Sequence, residues 1–259
     1  MLPAAHLYPA QLPAVIAHRG ASDDAPENTL SAFALALEQG ADGLELDVTL
    51  SADGVPVVIH DDTLDRTTNG HGRVGRYTLA ELKGLDAGYA DQFGAKFAGE
   101  RLPMLDEVFA AFGQRTVINV ELKQDRAPGR PLAPAVVKLI HDHGLAQRVI
   151  VSSFQFSNLK QVRSLDPALP IGLLYTVAAG GAQLVRWLTR ALQPEAHHPG
   201  CYTLTAEQVA WFHAHGLRVN TWTVNEANDL RRFAAAGVDA LITNRPGLAV
   251  AQRAALATA

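Results

Sequence analysis

Cysteine is nearly missing from this chain. Cys201 stands alone among 259 residues, so no internal disulfide can form and a thiolate zinc site would lack ligands. Basic blocks are missing too. The 22 Lys and Arg are scattered against 26 Asp and Glu, for a formal charge of −4, whereas a nucleic-acid binder carries a basic patch or stripe. No apolar run approaches the ~20 residues of a membrane span. The opening stretch MLPAAHLYPAQLPAVIAHRG has no basic n-region and is interrupted by Pro3, Pro9 and Pro13, unlike an export signal. These absences predict a soluble, cytoplasmic protein with no nucleic-acid partner and no stable membrane association. No sequence feature specifies an oligomeric state.

What the chain does have is alternation. Short apolar runs at 14–18, 43–49, 116–122, 148–153, 171–175, 195–198, 217–222 and 239–243 read as strands. Segments of helical periodicity follow them: 28–39, 104–113, 132–143, 155–165, 181–192, 205–215, 226–236 and 246–257. Gly40, Gly144, Gly216 and Gly237 supply stop signals just beyond several of these helices. Eight strands alternating with eight helices predict an α/β chain closed into a (β/α)8 TIM barrel, one domain over 1–259. A doubly wound open sheet is the competing fold, but no GxGxxG turn follows the first strand. The segment 62–103, rich in glycine, breaks the rhythm after a short strand in VPVVIH (55–60) that Asp53-Gly54 joins to the second barrel strand as a hairpin. It reads as an insertion after that strand, placed over one end of the barrel as a lid.

The second and third strands carry acids at alternate positions. In LELDVT, Glu45 and Asp47 share one face and Leu44, Leu46 and Val48 the other; in NVELK, Glu121 lies on a face with Asn119 and Lys123. All three acids lie towards the strand C-termini, where barrels of this class build their active sites. Three anions in one partly desolvated mouth repel unless neutralised, and an all-oxygen set suits Mg2+ or Ca2+. The bland reading is a set of salt bridges to Lys123 or Arg19. His18 and His60 close their strands and can divide acid and base roles, while Arg19 offers a fork for phosphate. Together these groups describe displacement at phosphorus. Asn28, in PENT (26–29), has the character of a helix N-cap, with Glu27 or Asn28 orienting Arg19 as the second reading. Phe154 and Trp222 fall where they would wall the pocket, and His197 and His198 near its rim.

The motifs AHRG with PENT, ELDV, VPVVIHDDTLDRTT, NVELK, VSSF, NTWTVN and DALITNRP, in this order from residue 17 to 246, resemble the glycerophosphodiester phosphodiesterase family. The resemblance implies a TIM barrel with a small inserted segment and a divalent-ion-dependent hydrolysis of glycerophosphodiesters to sn-glycerol 3-phosphate and an alcohol. By motif, Glu45, Asp47 and Glu121 match the metal ligands, His18 and His60 the catalytic acid/base pair, and Arg19 a phosphate contact. Lys123, Phe154 and Trp222 match substrate-pocket positions. Either the substrate's own glycerol hydroxyl or water attacks phosphorus in such a site. An alternative keeps the site but cleaves lipid phosphodiesters, as a phospholipase or lysophospholipase D does. That reading needs an apolar rim, for which Tyr77, Tyr89, Phe93 and Phe97 of the insertion are candidates.

Overall fold

The computed structural model describes residues 4–123, 132–176 and 181–257. Its nine strands are β1 (Ala14–His18), β2 (Gly43–Leu50), β3 (Pro56–Val58), β4 (Val117–Leu122), β5 (Val149–Ser153), β6 (Ile171–Tyr175), β7 (Ala196–Pro199), β8 (Arg218–Thr221) and β9 (Ala240–Thr243). All but β3 pair in parallel, and β1 bonds both β2 and β9, so eight strands close into a barrel. The helices are α1 (Leu30–Glu38), α2 (Leu79–Lys83), α3 (Ala90–Phe93), α4 (Leu105–Phe112), α5 (Leu132–Asp142), α6 (Phe156–Leu165), α7 (Gly181–Leu192), α8 (Ala206–Ala214), α9 (Ala227–Ala235) and α10 (Pro246–Ala257). Apart from α2 and α3, each follows its barrel strand. The (β/α)8 barrel read from the alternation is the fold.

Alternation within each strand places the core. Leu44, Leu46 and Val48 of β2 point outward and are fully buried, in one cluster with Phe33, Phe109 and Phe112 of the helices. Each such side chain taken from water is worth about 1.5–3 kcal/mol. The inward faces are more polar. His198 fills the barrel interior only because Gly172 on the neighbouring strand has no side chain: a Cβ there would come within 2.6 Å of its ring.

The floor of the barrel repeats one device three times. Asp42, Glu195 and Asp239 each precede a strand and accept the first amides of the neighbouring one: Val15 N–H at 2.7 Å, Ile171 N–H at 2.8 Å and Val219 N–H at 2.8 Å. Each also pairs with an arginine: Asp42 with Arg253, Glu195 with Arg163 at 2.9 Å and Asp239 with Arg218 at 2.7 Å.

Between β2 and α4 the chain makes the antiparallel hairpin with β3 and then an excursion holding α2, α3 and a 3-10 turn at Val74–Arg76. The excursion has its own small core of Val57, Ile59, Leu64, Val74, Leu82, Ala87 and Leu102. Ser31 bonds Glu100 and Lys83 bonds Glu107, tying it to α1 and α4. Tyr77, Tyr89, Phe93 and Phe97 are all half-buried, with Phe93 edge-on to both Tyr89 and Phe97, so none stands out as an exposed apolar rim.

Candidate active site

Strand register decides which side chains meet. Cα partners in the parallel ladders are His18 with Glu45, Glu45 with Asn119, and Asp47 with Glu121. Closure of the ring brings β1 beside β2, and the hairpin strand delivers His60 to the same end. A cavity of about 190 Å³ results, lined by His18, Arg19, Glu45, His60, Glu121 and Lys123, with Phe154 and Trp222 as its aromatic wall. Those two rings meet edge to face at 5.4 Å. A larger cleft of about 810 Å³ opens on the flank between α7 and α8, but its lining is mainly apolar with Arg186, Arg190 and Glu207 and holds none of the clustered acids.

Glu45, Asp47 and Glu121 are buried, and one oxygen from each lies within 4.8 Å of the others. Their surroundings differ sharply. Burial alone would raise Asp47, but Lys123 at 3.2 Å, followed by Arg19, also at 3.2 Å, holds its carboxyl well below the usual range. Glu121 is pushed up to about 7 by burial and then by Asp47, despite Lys123 at 2.9 Å. Burial, Asp47 and Glu121 raise Glu45 well above its ordinary value; its partners are the Arg19 backbone amide at 3.1 Å and His18 Nε2 at 3.9 Å. Two cations therefore leave the cluster under-compensated. A doubly charged ion on three convergent oxygens fits that deficit, and the donor set is that of a hard metal.

Each of the cavity's histidines and Arg19 is held from behind. His18 Nδ1 lies 2.7 Å from Asn244 Oδ1, which fixes Nδ1 as the protonated nitrogen and leaves Nε2 with a lone pair. Burial first, and Arg19 second, lower this imidazole to about 4, so it is neutral at pH 7. His60 Nδ1 lies 2.6 Å from Asp61 Oδ1. Arg19 has a left-handed backbone at φ 57°, and its guanidinium donates to Glu27 Oε1 at 3.0 Å and is ion-paired with Asp47 at 3.2 Å. The next residue must be glycine: Gly20 has φ 84°, and a Cβ would meet the Ala32 carbonyl carbon at 2.6 Å.

The reading of Asn28 as an N-cap is corrected. The α1 cap is Thr29, whose hydroxyl accepts the Ala32 amide at 3.2 Å. Asn28 instead adopts φ 59°, donates its side-chain amide to Asp47 Oδ2 at 2.9 Å and accepts the Asp47 N–H at 3.3 Å. Glu27 is the residue that holds Arg19. His197 and His198 do not reach the mouth either. Both are fully buried, His197 between Tyr175 and Phe212 and His198 3.0 Å from the Asn220 side chain. Asn244 and Asp61, which back the histidines from loops, and Arg66 behind Asp61 had no signal in strand or helix periodicity.

Among described residues, no helix is long and apolar enough to cross a membrane. The glycerophosphoryl diester phosphodiesterase family model matches residues 18–248. A glycerophosphodiester phosphodiesterase of Caldanaerobacter subterraneus is 45% identical over 235 residues, covering 90% of this chain and 94% of its own. The solved Oleispira antarctica phosphodiesterase, in complex with the product sn-glycerol-3-phosphate, is 33% identical with TM-score 0.83, over 96% of this chain and 98% of that one. A glycerophosphodiester phosphodiesterase of Agrobacterium tumefaciens superposes with TM-score 0.80 at 30% identity, covering 93% of this chain and 100% of that one. With its buried acids and two imidazoles gathered at the C-terminal mouth of the barrel, the chain belongs to the glycerophosphoryl diester phosphodiesterase family of hydrolases.

Proposed function

We propose that this enzyme hydrolyses glycerophosphodiesters to sn-glycerol 3-phosphate and an alcohol, with Glu45, Asp47 and Glu121 holding a divalent cation, Mg2+ or Ca2+. The observation that carries the reading is the juxtaposition of three buried acid oxygens within 4.8 Å of one another with both imidazoles in one cavity. The product seen on the Oleispira relative supports the substrate class. Such an ion would polarise a phosphoryl oxygen and offset charge that builds up at phosphorus.

The chain's own groups divide the remaining work. Arg19 lines the cavity with its guanidinium already oriented by Glu27 and Asp47, and Lys123 adds a second positive charge opposite; both stabilise the phosphoryl oxygens. His18 is neutral with a free Nε2, the form that accepts the proton of the attacking hydroxyl, whether glycerol's own or water's. His60 has Asp61 behind Nδ1, so a protonated ring is compensated there and Nε2–H can donate to the departing alkoxide. Phe154 and Trp222 confine the glycerol end and limit the water that reaches phosphorus.

Purified protein is assayed on glycerophosphocholine with Mg2+, with Ca2+ and after exhaustive EDTA treatment. Turnover that requires either ion and is lost in Glu45→Ala supports the assignment. Undiminished turnover after chelation sinks the metal role. Micellar lipid substrates run alongside test the lipid reading; the half-buried aromatics of the excursion favour the water-soluble diester.

A further inference from the structure

We infer that Arg66, which belongs to the excursion and touches no part of the cavity, is a positioning residue that sets His60 and Arg19 relative to each other. The inference rests on the function proposed above and adds a residue to it. Arg66 uses its whole fork on two carboxylates. Nη1 and Nη2 bond Glu27 Oε2 and Oε1, both at 2.7 Å, while Nε and Nη2 bond Asp61 Oδ2 and Oδ1 at 2.8 and 3.0 Å.

The same two oxygens also serve the cavity. Glu27 Oε1 accepts from Arg19 Nη1 at 3.0 Å, and Asp61 Oδ1 accepts from His60 Nδ1 at 2.6 Å. One nitrogen, Arg66 Nη2, thus joins a continuous run from Arg19 through Glu27 and Asp61 to His60. Arg19 stands on the loop after β1 and His60 just beyond β3, and among the described residues no hydrogen bond or ion pair joins them directly. Their separation is set through this bridge. Tyr89 covers the outer side of the Arg66 guanidinium, its ring centroid 5.7 Å away.

A lysine cannot replace this geometry. Its ammonium is a single point with three donors, whereas two bidentate pairs need the planar fork. The carboxylates feel the arginine strongly: its hydrogen bond is the largest influence on Asp61, whose carboxyl is lowered to about 2. At Glu27, burial opposes, and Arg66 ahead of Arg19 still holds the carboxyl below its usual value. If the bridge were only a surface ion pair, its loss would cost a little stability and nothing else.

The test uses the full chain with saturating Mg2+ and glycerophosphocholine, comparing wild type, Arg66→Met, Arg66→Lys and Asp61→Asn. Misplacing groups behind a reactive pair typically costs about 10–100-fold. The expected result is a kcat loss of that size in Arg66→Met, with Mg2+ affinity within about threefold of wild type, since no metal ligand touches Arg66. Arg66→Lys should recover melting temperature but not kcat. The Arg66→Met/Asp61→Asn double variant should be little worse than the poorer single one, because both cut the same chain. A readout independent of turnover is the 15N spectrum of the imidazoles, with His60 assigned by difference against His60→Gln. Its Nδ1 signal should move in Arg66→Met while that of His18 stays. An unmoved His60 signal, full recovery of kcat by Arg66→Lys, or kcat within about twofold of wild type in Arg66→Met would each overturn the inference. Wild-type protein that binds Mg2+ and Ca2+ yet leaves the diester intact with both would sink the proposed function instead, and the His60 signal would still decide the role of Arg66.

Discussion

Asn28 combines two demands that a pair of substitutions can separate. Its side-chain amide donates to the buried carboxylate of Asp47, and its backbone is left-handed. A hydrogen bond to a charged group is worth about 1.5–3 kcal/mol, and both Asn28→Gly and Asn28→Ala forfeit it. The backbone term differs. Glycine enters φ 59° without strain but brings about 0.5–1 kcal/mol of extra chain entropy to lose, whereas alanine adds roughly 1–2 kcal/mol of steric cost. The alanine variant should therefore be the less stable by about 1 kcal/mol in urea unfolding. Affinity for Mg2+, read by calorimetry, should behave otherwise. It depends on the orientation of Asp47, so both variants should lose it alike, by about 10–100-fold. Asn28→Gly with wild-type stability and wild-type Mg2+ affinity would refute the reasoning, leaving Asn28 as a residue retained only for its backbone.

Two further outcomes follow from the same geometry. Glu121, raised to about 7, is partly protonated in neutral solution, and Glu45 is raised well above its ordinary value too; both must lose a proton to bind a cation, so Mg2+ affinity should climb as pH rises through about 7; calorimetry in buffers of different ionisation enthalpy should detect the released protons, and a pH-independent affinity with no proton release would contradict the shifts. Gly20→Ala should destabilise the protein by more than the ordinary ~1 kcal/mol of a left-handed alanine, because the Cβ meets backbone at Ala32 and not a yielding side chain; an unchanged urea midpoint would show that the loop moves freely.

The barrel was legible because its strands are buried on both faces and its helices end at glycines such as Gly40 and Gly144, two signals that are local in the chain. Glu45, Asp47 and Glu121 were legible for a related reason: polar residues alternating inside an apolar strand must face an interior that tolerates them. Asn28 was misread since asparagine suits both an N-cap and a left-handed turn, and only the fold shows that Thr29 caps α1. The partner behind His18 was hidden by distance. Asn244 reaches His18 across 226 positions, and β1 lies beside β9 only once the ring has closed. Arg66 was hidden by its setting in an irregular segment, where no periodicity assigns a direction to a side chain. His197 and His198 read as rim residues from their place near a strand end, and the space left by Gly172 puts His198 in the barrel interior instead.

The three carboxylate–arginine clamps beneath the barrel bear on how such an enzyme could be altered. They stitch neighbouring strands at the end remote from the reaction and complete their charge balance within the polypeptide. Ring closure thus draws part of its support from the end opposite the crowded acids. Grafting new loops above β5 to β8 to accept bulkier alcohols should leave this lower girdle, and with it the cylinder, intact.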